Sequence, residues 1–245
     1  MKNLLIYINP LGGFDNETKL LVKIQIDNAL DLEWKKEDII LVTNFDYEYN
    51  GVKSKVIDGN VYCDFQPQST KTTVIHYLME NDLLEENIMY WVHDFDAFQS
   101  VSITEEEIDL GEIDLGLSDY GRMSRWSTGS MFFTKKARDI FKWMTEDIYK
   151  RHTDEERALS WLTRHNINDI KKRIKKINIS YNFQTNNIRS CFLEAIKPLR
   201  VLHFHPFVDK RGINTLDFFL RGKNKINTIL ASERLKQIFK NYGIT

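Results

Sequence analysis

Three observations on the 245-residue chain predict an α/β fold with a mostly parallel central sheet and flanking helices. Short, continuous apolar runs end abruptly in polar or turn residues, as strands buried on both faces do. Segments with helical apolar spacing separate them, so strand and helix alternate through the first hundred residues. The length suits one domain spanning 1–245, in which 1–100 alternates strand and helix and 101–245 reads differently.

The elements follow in order. Leu4, Leu5, Ile6, Tyr7 and Ile8 form the first apolar run, stopped by Asn9-Pro10 and Gly12-Gly13. A helix is expected over about 17–32, with Leu20, Leu21, Ile24 and Asn28 on one face. Residues 38–44 and 54–57 read as the next strands, and 72–81 as a helix. Residues 87–92 are a strand leading straight into His93-Asp94-Phe95-Asp96. An acidic doublet, EIDLGEIDLG, is too short for a repeat architecture and reads as a loop running into a strand over 113–120. WSTGSMFF at 126–133 is another strand. Thr134 is placed to cap a helix carrying Ala137, Ile140, Phe141, Met144 and Ile148 at helical spacing. A further helix is expected over 155–165. The basic run KKRIKK at 171–176 lies between Ile170, Ile174 and Ile177, a spacing that predicts a helix with a solvated basic face. VLHFHP at 201–206 is a late strand, and 226–242 an amphipathic helix closed by Gly243.

Composition narrows the function classes. A formal net charge of −1 implies no wholesale attraction to nucleic acid or membranes. No stretch approaches the roughly 20 apolar residues of a membrane span, and the N-terminal run lacks a cleavage site, so a cytoplasmic location is expected. Cys63 and Cys191, far apart, read as reduced core thiols rather than as a disulfide framework or a zinc site. Gly12-Gly13 is neither a dinucleotide fingerprint nor a P-loop.

Candidate chemistry gathers where strands end, because ligands of open α/β sheets bind beyond the carboxyl ends of the strands. Two carboxylates about 4 Å apart repel by roughly 1 kcal/mol in water and more at lower dielectric. A divalent cation turns that cost into affinity, so Asp94 and Asp96 point to Mg²⁺ or Mn²⁺ rather than to a merely polar loop. His203 and His205, two apart on a strand, share a face and are candidate imidazole ligands. His93, adjacent to Asp94, points the other way and reads as structural. Asp154 and Glu155 open a helix, where the dipole alone would favour acids.

Taken in order, HDFDAFQ at 93–99, WSTGSMFF at 126–133, DEERAL at 154–159 and VLHFHP at 201–206 resemble the nucleotide-sugar glycosyltransferases of the GT-A fold. The likeness is to the family 8 type that includes glycogenin and bacterial galactosyltransferases. The resemblance implies a single Rossmann-like domain with a nucleotide-binding half at 1–100 and an acceptor and metal-completing half at 101–245, a nucleoside-diphosphate sugar donor and a Mn²⁺ or Mg²⁺ cofactor. It implies that Asp94, Asp96 and either His203 or His205 ligate the metal. Ile8, Asn9, Pro10, Thr43 and Asn44 would line the nucleotide, Lys71 would reach a phosphate or the ribose, and Lys210 or Arg211 would cover the phosphates. Ser127, Thr128 and Gly129 would sit beside the donor sugar, with Glu155 or Asp154 as the candidate catalytic residue near the reacting carbon. Family 8 implies retention of configuration, whereas the residues leave inversion open: after His203 come Phe204-His205-Pro206-Phe207 in place of the usual late motif. The acceptor hydroxyl belongs to a glycan, a lipid, a protein or a modified nucleic-acid base, with nucleic acid not favoured. A nucleotidyltransferase or other metal-dependent phosphoryl-transfer enzyme, or a non-catalytic nucleotide-sugar binding module, is the alternative.

Overall fold

The computed structural model describes residues 1–121, 125–185, 192–204 and 231–243. His205, Lys210, Arg211 and Cys191, with the first residues of the expected tail helix, lie outside them.

The first unit is β1 (Lys2–Ile6), α1 (Asn16–Asp31) and β2 (Ile39–Thr43), followed by a hairpin of β3 (Glu48–Tyr49) and β4 (Val52–Val56). Then come α2 (Thr70–Glu80), β5 (Tyr90–His93), β6 (Ala97–Gln99) and a short α3 (Glu105–Ile108). The second half holds β7 (Leu115–Asp119), β8 (Trp126–Phe133), α4 (Arg138–Arg151) and α5 (Glu155–Arg164). Three short strands, β9 (Ile174–Lys176), β10 (Phe183–Gln184) and β11 (Val201–His203), precede the final α6 (Glu233–Asn241).

Eight strands form the main sheet in the order β3-β4-β2-β1-β5-β8-β7-β9. The run β4-β2-β1-β5 is parallel, β8 enters antiparallel to both β5 and β7, and β9 is parallel to β7. The central strands read as apolar runs because both their faces are covered. On one face Val22 and Ile26 of α1 pack with Leu5 and Leu41; on the other, Val74 and Leu78 of α2 and Phe141 and Met144 of α4 pack with Leu4, Val92 and Phe133. At the edge, β3 has only two residues, a length that discourages edge-to-edge pairing, and its Glu48 pairs with Lys53 of β4 (3.6 Å). A second sheet, β10-β11-β6, buries Phe98, Phe183 and Leu202 against Ile24 of α1 and Leu235 and Phe239 of α6.

Two expectations need correction. Residues 171–176 are not a helical face. Asn168 and Asp169 take left-handed φ values of 48° and 58°, the chain makes a 3₁₀ stretch over Ile167–Lys172, and Ile174–Lys176 joins the sheet as β9. The spacing of Ile170, Ile174 and Ile177 is satisfied by burial on a turn and a strand rather than on one helix face. The charges point apart: Arg173 forks onto Asp114 (2.6 Å) and Asp139 (2.5 Å), Lys176 pairs with Asp119 (2.6 Å), and Lys172 with Asp169 (3.0 Å). Such a dispersed set does not offer the contiguous basic stripe that phosphate backbones need. Thr134 has the extended backbone of an N-cap, but its hydroxyl makes no cap bond, and a 3₁₀ turn over Lys135–Ala137 comes before α4.

Candidate metal and donor site

The site grows from the end of β5. The Asp94 amide donates to the Gly129 carbonyl (3.0 Å) and the Asp94 carbonyl accepts from the Ala97 amide (3.0 Å), closing a tight turn into β6. Gln25 of α1, itself buried, donates to the carbonyls of Phe95 (2.8 Å) and Ala97 (3.0 Å), pinning the turn from behind. His93 is structural, as its alternation on the strand implies. Its ring stacks on Trp91 at 4.0 Å and bonds Asn3 Oδ1 (3.1 Å), and burial pushes its pKa down to about 4, so it is neutral.

The second sheet delivers the third group. Antiparallel pairing sets His203 of β11 opposite Ala97 of β6, and the Phe204 amide donates to the Asp96 carbonyl (2.9 Å). The imidazole Nε2 then lies 3.2 Å from Asp96 Oδ1 and 3.7 Å from Asp94 Oδ2. Ring packing demands glycine next door: a Cβ on Gly129 would sit 2.2 Å from His203 Cε1. Burial lowers the proton affinity of His203, but the carboxylates of Asp96 and Asp94 outweigh it and raise the pKa. One atom each of Asp94, Asp96 and His203 lie within 4.8 Å of one another. Two ligands on one Mg²⁺, each at about 2.1 Å, stand at most about 4.2 Å apart, so the trio needs to close by less than about 1 Å. Two carboxylate oxygens and an imidazole nitrogen form a donor set suited to Mn²⁺ or Mg²⁺.

Lys71, in the first turn of α2, links this trio to a third carboxylate. Its ammonium donates to Asp94 Oδ1 and to the Thr128 carbonyl (2.8 Å), and Glu155 Oε1 lies 4.0 Å away. Burial opposes its charge, yet Asp94 and Glu155 more than compensate and raise its pKa. Asp94 is thus divided, one oxygen on Lys71 and the other toward His203.

The acids of residues 154–156 have separate fates. Asp154 is the N-cap of α5, accepting from the Arg157 amide at 2.7 Å. Glu156 turns to Tyr120 Oη (2.6 Å), the Thr128 amide (3.3 Å) and Arg125 (2.9 Å), and burial raises its pKa. Only Glu155 faces Lys71, held by Ser69 Oγ (2.6 Å) and Thr128 Oγ1 (3.2 Å).

A cavity of about 300 Å³ opens beside Lys71 and Asp94, walled by Ile8, Asn9, Pro10 and Phe95. Asn44 shapes its rim by clasping the Asn9 backbone with two bonds (3.0 and 2.8 Å), while the buried Thr43 hydroxyl donates to the Phe45 carbonyl (2.5 Å). Ser127 is buried, and its Oγ accepts from Asn182 and Gln184. Of the expected residues, the structure therefore joins Asp94, Asp96, His203, Lys71, Thr128, Gly129 and Glu155. It places Asn9 and Asp94 on one cavity and turns Asp154 and Ser127 to other partners. Ser69, Tyr120, Asn182 and Gln184 escaped the sequence reading; only the alternation in SYNFQT, which puts Asn182 and Gln184 on one side, hinted at any of them.

The mixed central sheet with its flanking helices is shared with solved glycosyltransferase structures. An active-site mutant of the galactosyltransferase LgtC superposes with a TM-score of 0.62 over 99% of this chain and 95% of its own, at 12% identity. The chain has the GT-A fold. The GT-A glycosyltransferase GlyE of Streptococcus pneumoniae is similar over the whole of this chain, with a TM-score of 0.58 at 15% identity. The match spans 60% of GlyE. A glycosyltransferase involved in glycosylation of the major capsid of PBCV-1 is similar over 86% of this chain and 98% of its own, with a TM-score of 0.55 and 13% identity. No protein-family model and no curated protein matches the sequence. On this GT-A frame, no helix of the described residues is long and apolar enough to cross a membrane.

Proposed function

We propose that this protein transfers a sugar from a nucleoside-diphosphate sugar to an acceptor hydroxyl, with Mn²⁺ or Mg²⁺ held by Asp94, Asp96 and His203. One observation carries the reading: the convergence of those three groups, Lys71 and Glu155 on a GT-A frame, with Lys71 and Asp94 lining a cavity. In this reading the nucleoside occupies the cavity beside Asn9, Pro10 and Phe95. A bound divalent cation would supply positive charge against the departing diphosphate. Lys71 keeps Asp94 oriented and adds a buried cation between Asp94 and Glu155. Gly129 leaves the His203 ring its room and the Thr128 hydroxyl positions Glu155. Glu155 is the carboxylate set to face positive charge developing on the sugar, and holding the acceptor hydroxyl against the anomeric carbon supplies the proximity effect. A cytoplasmic location goes with this reading.

Hydrolysis of UDP- and GDP-sugars with and without Mn²⁺ tests it. Turnover is expected only with metal, and Asp94→Ala and Asp96→Ala should each lower it by about two orders of magnitude or more, on the order of the effect of removing one transition-state charge stabiliser. Unchanged turnover in both variants would sink the proposal. Release of pyrophosphate from a nucleoside triphosphate and a sugar phosphate would instead identify a nucleotidyltransferase.

A further inference from the structure

His203 has two ring nitrogens, and only a bare Nε2 can ligate the cation proposed above; which nitrogen carries the proton is set by what the other one touches. Nδ1 lies 2.9 Å from Asn182 Oδ1, an acceptor. The other end of the same amide is held as well: Asn182 Nδ2 donates to Ser127 Oγ at 2.9 Å. Ser127 Oγ accepts a second amide proton from Gln184 Nε2 at 2.7 Å, which leaves no lone pair to attract a different donor. All four residues are buried: Asn182 and Ser127 are 0% exposed, and Gln184 and His203 are 1%. The amide turned end for end would aim an NH₂ at Nδ1, leave the proton on Nε2, and point that N–H at Asp94 and Asp96. Buried amides are costly unless bonded, and the amide nitrogens of Asn182 and Gln184 both find their acceptor in Ser127 Oγ.

We infer that Asn182 is a positioning residue that holds His203 in the Nδ1–H form, presenting the Nε2 lone pair to a cation shared with Asp94 and Asp96, while Ser127 and Gln184 fix the direction of the Asn182 amide. The inference rests on the metal-dependent reading and goes beyond it by assigning a role to three residues that touch neither metal nor donor. Outer partners of metal-bound histidines change metal affinity by about 10–100-fold when removed. Asn182→Leu keeps the volume and deletes the acceptor, Asn182→Asp keeps an acceptor oxygen, and Ser127→Ala frees the amide to turn.

The test is Mn²⁺ affinity from the electron paramagnetic resonance signal of free Mn²⁺, measured on the whole protein with Asp96→Asn as reference. Asn182→Leu should weaken binding about 10–100-fold, Ser127→Ala should weaken it less, and Asn182→Asp should stay close to wild type. Wild-type affinity in Asn182→Leu, with binding lost in Asp96→Asn, overturns the inference and leaves the metal reading standing. Equal loss in the Leu and Asp variants also overturns it, since that is the pattern of a residue needed only for packing. Absence of saturable Mn²⁺ binding in wild type overturns both. A second readout needs no variant: long-range ¹H–¹⁵N correlation of the His203 ring in the Mg²⁺-loaded protein should show a protonated Nδ1 and a bare Nε2. The reverse tautomer contradicts the inference.

Discussion

Two acidic stretches of nearly equal charge behave oppositely in this molecule. Asp94 and Asp96 converge: both carboxylates face His203, and only Phe95 between them turns away to the cavity wall. Asp154, Glu155 and Glu156 diverge, one to cap a helix, one to Lys71 and one to Tyr120 and Arg125. The backbone explains the difference. A tight turn closed by the Asp94 carbonyl and the Ala97 amide returns Asp96 toward Asp94, whereas the first turn of a helix sends successive side chains out about 100° apart. Convergent charge needs a counter-ion; divergent charge finds separate partners. Acid spacing alone does not say which case applies.

The contrast can be attacked at its strongest point first. Gly129→Ala should damage the convergent site although it removes no ligand, because the new Cβ would press on the buried His203 ring. Mn²⁺ affinity should fall about 10–100-fold, with a stability loss of about 1–3 kcal/mol from overpacking in a melt. In the divergent stretch, Glu155→Ala should lower kcat by a factor on the order of 10² while leaving Mn²⁺ affinity nearly unchanged, since Glu155 faces Lys71 and not the metal trio. A parallel loss of Mn²⁺ binding in that variant would erase the distinction between the two stretches. Asp154→Ala should cost about 1 kcal/mol in a denaturant melt through the lost cap, with kcat intact.

The smallest expected effect concerns Glu156. Its folded pKa is raised by burial above the ordinary 4.5. The folded protein therefore holds this proton where the unfolded chain has released it. Wild-type stability falls through this group as pH rises from the unfolded pKa to the folded one. Glu156→Gln should lack that fall, so its stability relative to wild type should improve across the same window. A pH-independent difference between the two melts would show that Glu156 is not strained by burial.

Much of the frame was legible because its signals are continuous. The β8 prediction over 126–133 matches the observed Trp126–Phe133, and the apolar run before Asp94 marks β5. Helices α1, α2 and α5 begin and end within two residues of expectation. What stayed hidden depends on tertiary partners. The run 171–176 has helical spacing, but ion pairs to Asp114, Asp139 and Asp119 reward a turn and an edge strand. Ser127 looked like a sugar-side residue, yet strand alternation sends it to Asn182 while Thr128 faces Glu155. Asn182 lies beside a strand of two residues, whose brief alternation in SYNFQT does not say what that side faces. The approach of His203 to Asp94 and Asp96 depends on the β11–β6 register that places it opposite Ala97, which no local signal carries.

The most direct test is a thermal-shift titration of the whole protein with a panel of nucleoside diphosphates, with and without Mn²⁺. A ligand that binds only the folded state raises the melting temperature. One nucleotide should stabilise wild type strongly with Mn²⁺ and weakly without it, and the Mn²⁺-dependent part should vanish in Asp94→Ala/Asp96→Ala. Equal stabilisation with and without metal, or in the double variant, would contradict the assignment of Asp94, Asp96 and His203 as the site where a cation meets a diphosphate.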